Sequence, residues 1–172
     1  YDWGVIAIGP PNGIQLQVGK NAGRLVVPVW LSESKTKAHR PNRCAVIYSD
    51  DHGQSWQRGQ MVPDVVPNLN ETTIAERTNG SVILNMRNGI GVTRRVITSS
   101  PDGIGNWTTP WLDPALVEPT CQGTLFRYSS AAEGRSRLLF CNPHGLAGKD
   151  AKGPSIFRKR QTLTVKLSYD DG

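Results

Sequence analysis

An all-β chain of about three four-stranded antiparallel sheets, set around a common axis, is the fold this sequence predicts. Three observations carry it: a turn pattern that returns along the chain, an apolar strand signal that returns with it, and a lack of helical periodicity. The turn pattern is fullest at Ser49, Asp51, Gly53 and Trp56, with the spacing S-x-D-x-G-x-x-W. Ser100, Asp102 and Trp107 repeat its first, third and eighth positions, with Ile104 where glycine stands in the first copy. Ser168, Asp170 and Gly172 begin it a third time. A turn that recurs at sheet-sized intervals marks a repeat architecture with radially arranged sheets.

The strands follow in order. Leu25–Trp30, Val82–Arg87 and Leu138–Pro143 each follow a turn and open on three apolar residues, as a buried strand does. Each is followed by a strand leading into one of the recurring turns: Ala45 to Tyr48, Thr93 to Thr98, and Leu163 to Tyr169. Each is preceded by another: Ile14 to Gln17, Thr72 to Glu76, and Thr124 to Tyr128. Asn79-Gly80 is a strong hairpin signal, because both residues accept positive φ. Lys20 to Gly23 and Ala132 to Gly134 read as looser hairpin loops. The expected units span 14–62, 70–112 and 121–172; a sandwich or barrel is the alternative, against which the equal repeat lengths argue. In the recurring turn, the Asp and Ser side chains are expected to bond main-chain N–H groups, with Trp plugging the gap between strands. Asp51 and Asp102 are therefore read as structural, although they look like catalytic acids.

Composition narrows the function classes. The 172 residues include 18 glycines and 12 prolines and are 37% hydrophobic, which suits a turn-rich folded chain and not a disordered one. No run approaches the ~20 apolar residues of a membrane span. The net charge of +6 is carried by scattered Lys and Arg, and only Arg158, Lys159 and Arg160 cluster. That argues against nucleic acid and is compatible with either a solvated surface or attraction of anionic substrates. Cys44, Cys121 and Cys141 make no metal spacing. Cys121 and Cys141 stand at opposite ends of an expected hairpin and could face each other; buried free thiols are the preferred reading. Neither metal nor organic cofactor is implied, since there is no ligand cluster and no phosphate-binding loop. Asn70-Glu71-Thr72, Asn79-Gly80-Ser81 and Asn106-Trp107-Thr108 are glycosylation sequons, meaningful only in a secretory eukaryotic host.

The turn pattern resembles the Asp-box of sialidases and related β-propellers, and further blocks extend that resemblance over essentially the whole chain. Asn70-Glu71 followed by Asn79 to Asn88 resembles the sialidase stretch of a catalytic Glu and the second Arg of an arginine triad. Cys121-Gln122-Gly123 with Leu138 to Pro143 is similar to the next family block, and Arg160 to Ser168 to the third triad Arg leading into an Asp-box strand. Gly9-Pro10, Gly13 to Leu16 and Gly23 to Pro28 resemble the block ahead of these. The chain thus resembles the central half of a bacterial-type exo-α-sialidase with six blades. The resemblance implies that Glu71 is the partner of a nucleophilic Tyr, and that Arg87 and Arg160 bind the carboxylate of a sialic acid. Gln122, 51 residues beyond Glu71, takes the equivalent place in the next unit and is a candidate pocket-lining residue. Asn70 and Asn88 flank the pair and are open to either a supporting or a turn role; His144 reads as an exposed loop residue. Arg158 competes with Arg160, which is preferred for its three-residue spacing to Leu163.

The chemistry explains the residue types. Convergent guanidiniums hold a carboxylate through planar, charge-assisted hydrogen bonds. A carboxylate nucleophile would be repelled by the substrate's own carboxylate, whereas a Tyr hydroxyl is neutral and needs a base to take its proton. Sialidases are the Tyr-nucleophile exception among glycoside hydrolases. The family's first triad Arg, general-acid Asp and nucleophilic Tyr match no residue here, so the chain alone is expected to be inactive and to need further blades or self-association to close a ring. The substrate implied is a sialylated glycan, at a secreted, periplasmic or cell-surface location. A non-catalytic Asp-box propeller binding acidic glycans or proteins is the alternative, and a hydrolase for another nonulosonic acid a third reading.

Overall fold

A computed structural model describes residues 3–10, 12–33, 40–145 and 160–172. It is all-β, with 48% of the described residues in strands and no α-helix among them. The strands are β1 (Val5–Ile8), β2 (Ile14–Gln15), β3 (Leu25–Ser32), β4 (Asn42–Ser49), β5 (Gln57–Arg58), β6 (Leu69–Glu76), β7 (Val82–Asn88), β8 (Arg94–Ser100), β9 (Trp111–Val117), β10 (Thr124–Ser129), β11 (Arg137–Pro143) and β12 (Leu163–Ser168). They form three antiparallel sheets. The first runs β1-β3-β4-β5 with β2 also paired to β3, the second β6-β7-β8-β9, and the third β10-β11-β12. Only the second sheet has the expected four strands; β1 and the short β5 adjoin the first, and the third has three described strands.

Sequence pattern and burial agree strand by strand. The second sheet lies between the other two, so β7 is buried on both faces from Val82 to Met86, polar Asn85 included. Its Val82, Leu84 and Met86 join Leu16, Val26, Val46, Ile74 and Trp107 in a core shared with the first sheet. Its Ile83 joins Ala75, Ile97, Leu125, Leu138 and Phe140 in a core shared with the third. In β11 burial alternates instead, because only one face is covered.

The recurring turns share one hydrogen-bond pattern. Ser49 Oγ donates to Asp51 Oδ1 at 2.7 Å and accepts from Gly53 N–H at 2.8 Å. Ser100 does the same with Asp102 at 2.9 Å and Gly103 at 3.0 Å, and Ser168 with Asp170 at 2.6 Å and Gly172 at 2.9 Å. Asp51 also accepts from Ser55 N–H and Oγ, and these bonds hold its carboxyl down at about 2. Three details depart from expectation. In the second turn Gly103, not position 104, takes the left-handed φ of 78°, so the turn is one residue tighter and tolerates Ile104. Trp107 is buried, with Nε1 donating to Gln60 O at 3.1 Å across the sheet junction, whereas Trp56 remains 45% exposed. At Asn79-Gly80 only Gly80 has positive φ, 82°, and its N–H bonds Arg77 O at 3.0 Å, giving a three-residue hairpin loop in place of the two-residue one.

Candidate functional site

The antiparallel order places Glu71, Arg87, Gln122 and Arg160 at one end of the sheets and the Asp-centred turns at the other. The start of β6, the end of β7, the start of β8 and the starts of β10 and β12 share that end. Glu71 sits at a break in register: Leu69 pairs with Asn88 and Thr72 with Met86, so Asn70 and Glu71 together face Arg87. Two residues opposite one is a β-bulge, a device that re-aims a side chain. Here it brings Glu71 Oε2 to 2.6 Å from Arg87 Nη1, with side chains 29% and 20% exposed. Arg87 Nε is buried and has no hydrogen-bond partner among the described residues.

The flanking asparagines hold the main chain. Asn70 Oδ1 accepts from Glu71 N–H at 2.9 Å. Asn88 donates to Val92 O and Arg94 O and accepts from Ile90 N–H, closing the β7–β8 turn. Arg160 is exposed, and its Nη2 donates to Thr120 O at 3.0 Å, beside half-buried Gln122. His144 is half-buried, and its main-chain N–H bonds Thr162 O at 2.9 Å. Arg158 lies outside the described residues. Three non-glycine residues with left-handed backbone lie at this end: Asn68, Thr120 and Thr162 have φ of 58°, 52° and 61°. For a β-branched threonine that conformation is an outlier, and such strain costs on the order of 1–3 kcal/mol and concentrates at functional sites.

Glu71 and Arg87 are therefore in direct contact, while Arg160 and Gln122 lie on the adjoining segments of the third sheet. The residues that sequence reasoning missed connect the two groups. Arg95, fully buried, pairs with fully buried Glu118 at 2.8 Å. Burial pushes the Glu118 carboxyl up to about 7 against the pull of the Arg95 charge. The signal available in sequence was slight: two consecutive arginines at a strand start, one of which must face inward by alternation. The three cysteines are free; burial pushes the Cys44 thiol up to about 12. A groove of 540 Å³ between the second and third sheets, lined by Ile83, Ile97, Trp111, Leu125 and Phe140, contains none of the four candidate residues.

Comparison with known proteins defines the class first. The family model for a BNR repeat-like domain matches residues 2–172. Among curated relatives, the sialidase of Micromonospora viridifaciens is 29% identical over 94% of this chain and 23% of its own length. Sialidase-2 of Rattus norvegicus is 33% identical over 75% of the chain and 34% of its own length. Among solved structures, the Hadza microbial sialidase Hz136 superposes with a TM-score of 0.75 at 26% identity, over 99% of this chain and 29% of that one. A leech intramolecular trans-sialidase shares the fold, with a TM-score of 0.66 at 21% identity over 99% of this chain and 26% of its own. The chain belongs to the sialidase/BNR-repeat family. It spans between a fifth and about a third of the length of these relatives.

Proposed function

We propose that this chain supplies the central part of the active centre of an exo-α-sialidase, a retaining glycoside hydrolase that removes terminal sialic acid from glycoconjugates. The observation that carries the reading is the Glu71–Arg87 pair, set by a β-bulge at the end of the sheets opposite the Asp-centred turns. Arg87 and Arg160 bind the substrate carboxylate, and Gln122 lines the pocket. Glu71, held through Oε2, takes the phenolic proton of a Tyr on its other oxygen as the phenolic oxygen bonds the anomeric carbon; the bond to the aglycone breaks, and its oxygen leaves with a proton from a general acid. That Tyr, a third arginine and a general acid come from elsewhere in the assembled enzyme. The three sheets are blades of a six-bladed propeller, closed by further blades. Sialylated glycans place the enzyme in a secreted, periplasmic or cell-surface setting.

The test is release of a fluorogenic aglycone from a sialoside by the protein that carries this chain. Glu71→Ala is expected to lower kcat by at least ~100-fold, the scale of losing a positioned proton acceptor. Arg87→Lys is expected to raise KM, because a point charge cannot reproduce a bidentate clamp. Unchanged turnover in Glu71→Ala, or no turnover in the parent protein, would overturn the assignment. The isolated 172-residue chain is expected to show no turnover.

A further inference from the structure

We propose that Arg95, held by Glu118, is a positioning residue that fixes Glu71 and Gln122 relative to each other across the junction of the second and third sheets. This rests on reading those residues as parts of one acidic-sugar site. Arg95 lies where the β8–β9 register breaks, and its guanidinium passes beneath β7 toward β6. All five of its N–H donors are engaged. Nε donates to Asn85 Oδ1 at 2.5 Å, and Nη1 to Glu118 Oε2 at 2.8 Å and Cys121 O at 2.9 Å. Nη2 donates to Asn85 O at 2.9 Å and Glu71 O at 3.4 Å. A guanidinium is a rigid planar fork, so its acceptors are held at fixed separations. Two of those acceptors are the carbonyls of Glu71 itself and of the residue preceding Gln122. The Phe140 ring, 5.8 Å from the guanidinium carbon, lies against it from the third sheet.

Stability does not account for the pair. A buried ion pair is often replaced by well-packed apolar residues with no loss of stability, whereas its removal by halves is costly. What an apolar pair cannot do is hold two main-chain carbonyls from different sheets. Position, not cohesion, is what the Arg95–Glu118 pair contributes.

The test is the double substitution Arg95→Met with Glu118→Leu, which leaves no unpaired charge. Two readouts are taken. Amide hydrogen exchange in the chain is expected to accelerate at least tenfold at residues 70–72 and 121–123, with β7 and β8 core amides unchanged. In the protein that carries the chain, kcat on a fluorogenic sialoside is expected to fall at least tenfold while KM moves less than threefold. Unchanged exchange at both segments, or kcat within twofold of the parent, overturns the proposal. If the parent shows no turnover, the sialidase reading has failed, and exchange alone decides the positioning role. Should the double variant not fold, Glu118→Gln, which keeps an acceptor opposite Nη1, is read by exchange at the same segments: a threefold or greater rise supports the proposal and no change overturns it.

Discussion

Glu118 carries the sharpest single-residue consequence. Its carboxyl is raised by burial and pulled back by the neighbouring guanidinium. Arg95→Met removes the pull and leaves the burial, so the proton is held to still higher pH. A carboxyl whose folded value exceeds its unfolded one contributes stability that is present below the unfolded value and lost as pH rises through the folded one. Arg95→Met is therefore expected to lose about 3–5 kcal/mol at pH 8 and clearly less at pH 5, since an unpaired buried charge is what makes it costly. Urea midpoints at the two pH values measure this; an equal loss at both would contradict it. Glu71 and Arg87 were legible as residues, because the block that holds them resembles a sialidase stretch. Their contact was not, because it depends on an extra residue in β6 that no local pattern announces.

At the scale of the strand and turn, the Asp-centred turns also join sheets. Arg24, ahead of β3, donates from Nη1 to Asp102 O at 3.1 Å in the second sheet's turn. Arg77, ahead of β7, donates from Nε to Asp171 O at 3.1 Å in the third's. The Asp171 carboxylate adds Thr78 N–H and Oγ, Ser136 Oγ and Arg127. Burial pushes its carboxyl up, but these donors outweigh it and hold the group at about 2. A lowered value of this kind contributes stability above the unfolded 3.8, lost as pH falls through about 2. Asp171→Asn, which keeps the shape and tolerates the left-handed φ of 69°, is expected to cost about 1–2 kcal/mol at pH 7. The difference from the parent should vanish near pH 2. Chemical denaturation at both pH values decides it, and a loss that persists at pH 2 would point to shape instead of charge. The S-x-D spacing revealed these turns, since their bonds close within a few residues; the arginines that reach them come from more than seventy residues away.

For the whole molecule, the outer face of the third sheet matters most. Phe126, Tyr128, Val165 and Leu167 are 56%, 58%, 62% and 43% exposed, and Leu163 is 76% exposed. The register Phe126–Leu139–Leu167 shows that this face is continuous across the three strands. A contiguous apolar face beside a sheet edge favours association. The isolated chain is expected to self-associate in light scattering, and Phe126→Lys with Val165→Lys to shift it toward monomer. A monodisperse monomer of the unsubstituted chain would count against this.

What sequence alone determined is what closes locally: the strand runs, the Asp-centred turns, and the order of Glu71, Arg87, Gln122 and Arg160 along the chain. The strands and turns depend on residues within one turn, one hairpin or one repeat, which periodicity records directly; the four site residues were picked out by the resemblance of their blocks to sialidase stretches. Tertiary structure alone decided which arginine is buried, which tryptophan is covered and which carboxylate meets which guanidinium. Those outcomes depend on residues of several strands meeting in space, and Arg95 leaves water because Asn85, Glu71 and Glu118 of its own sheet and Cys121 ahead of the third together supply its acceptors.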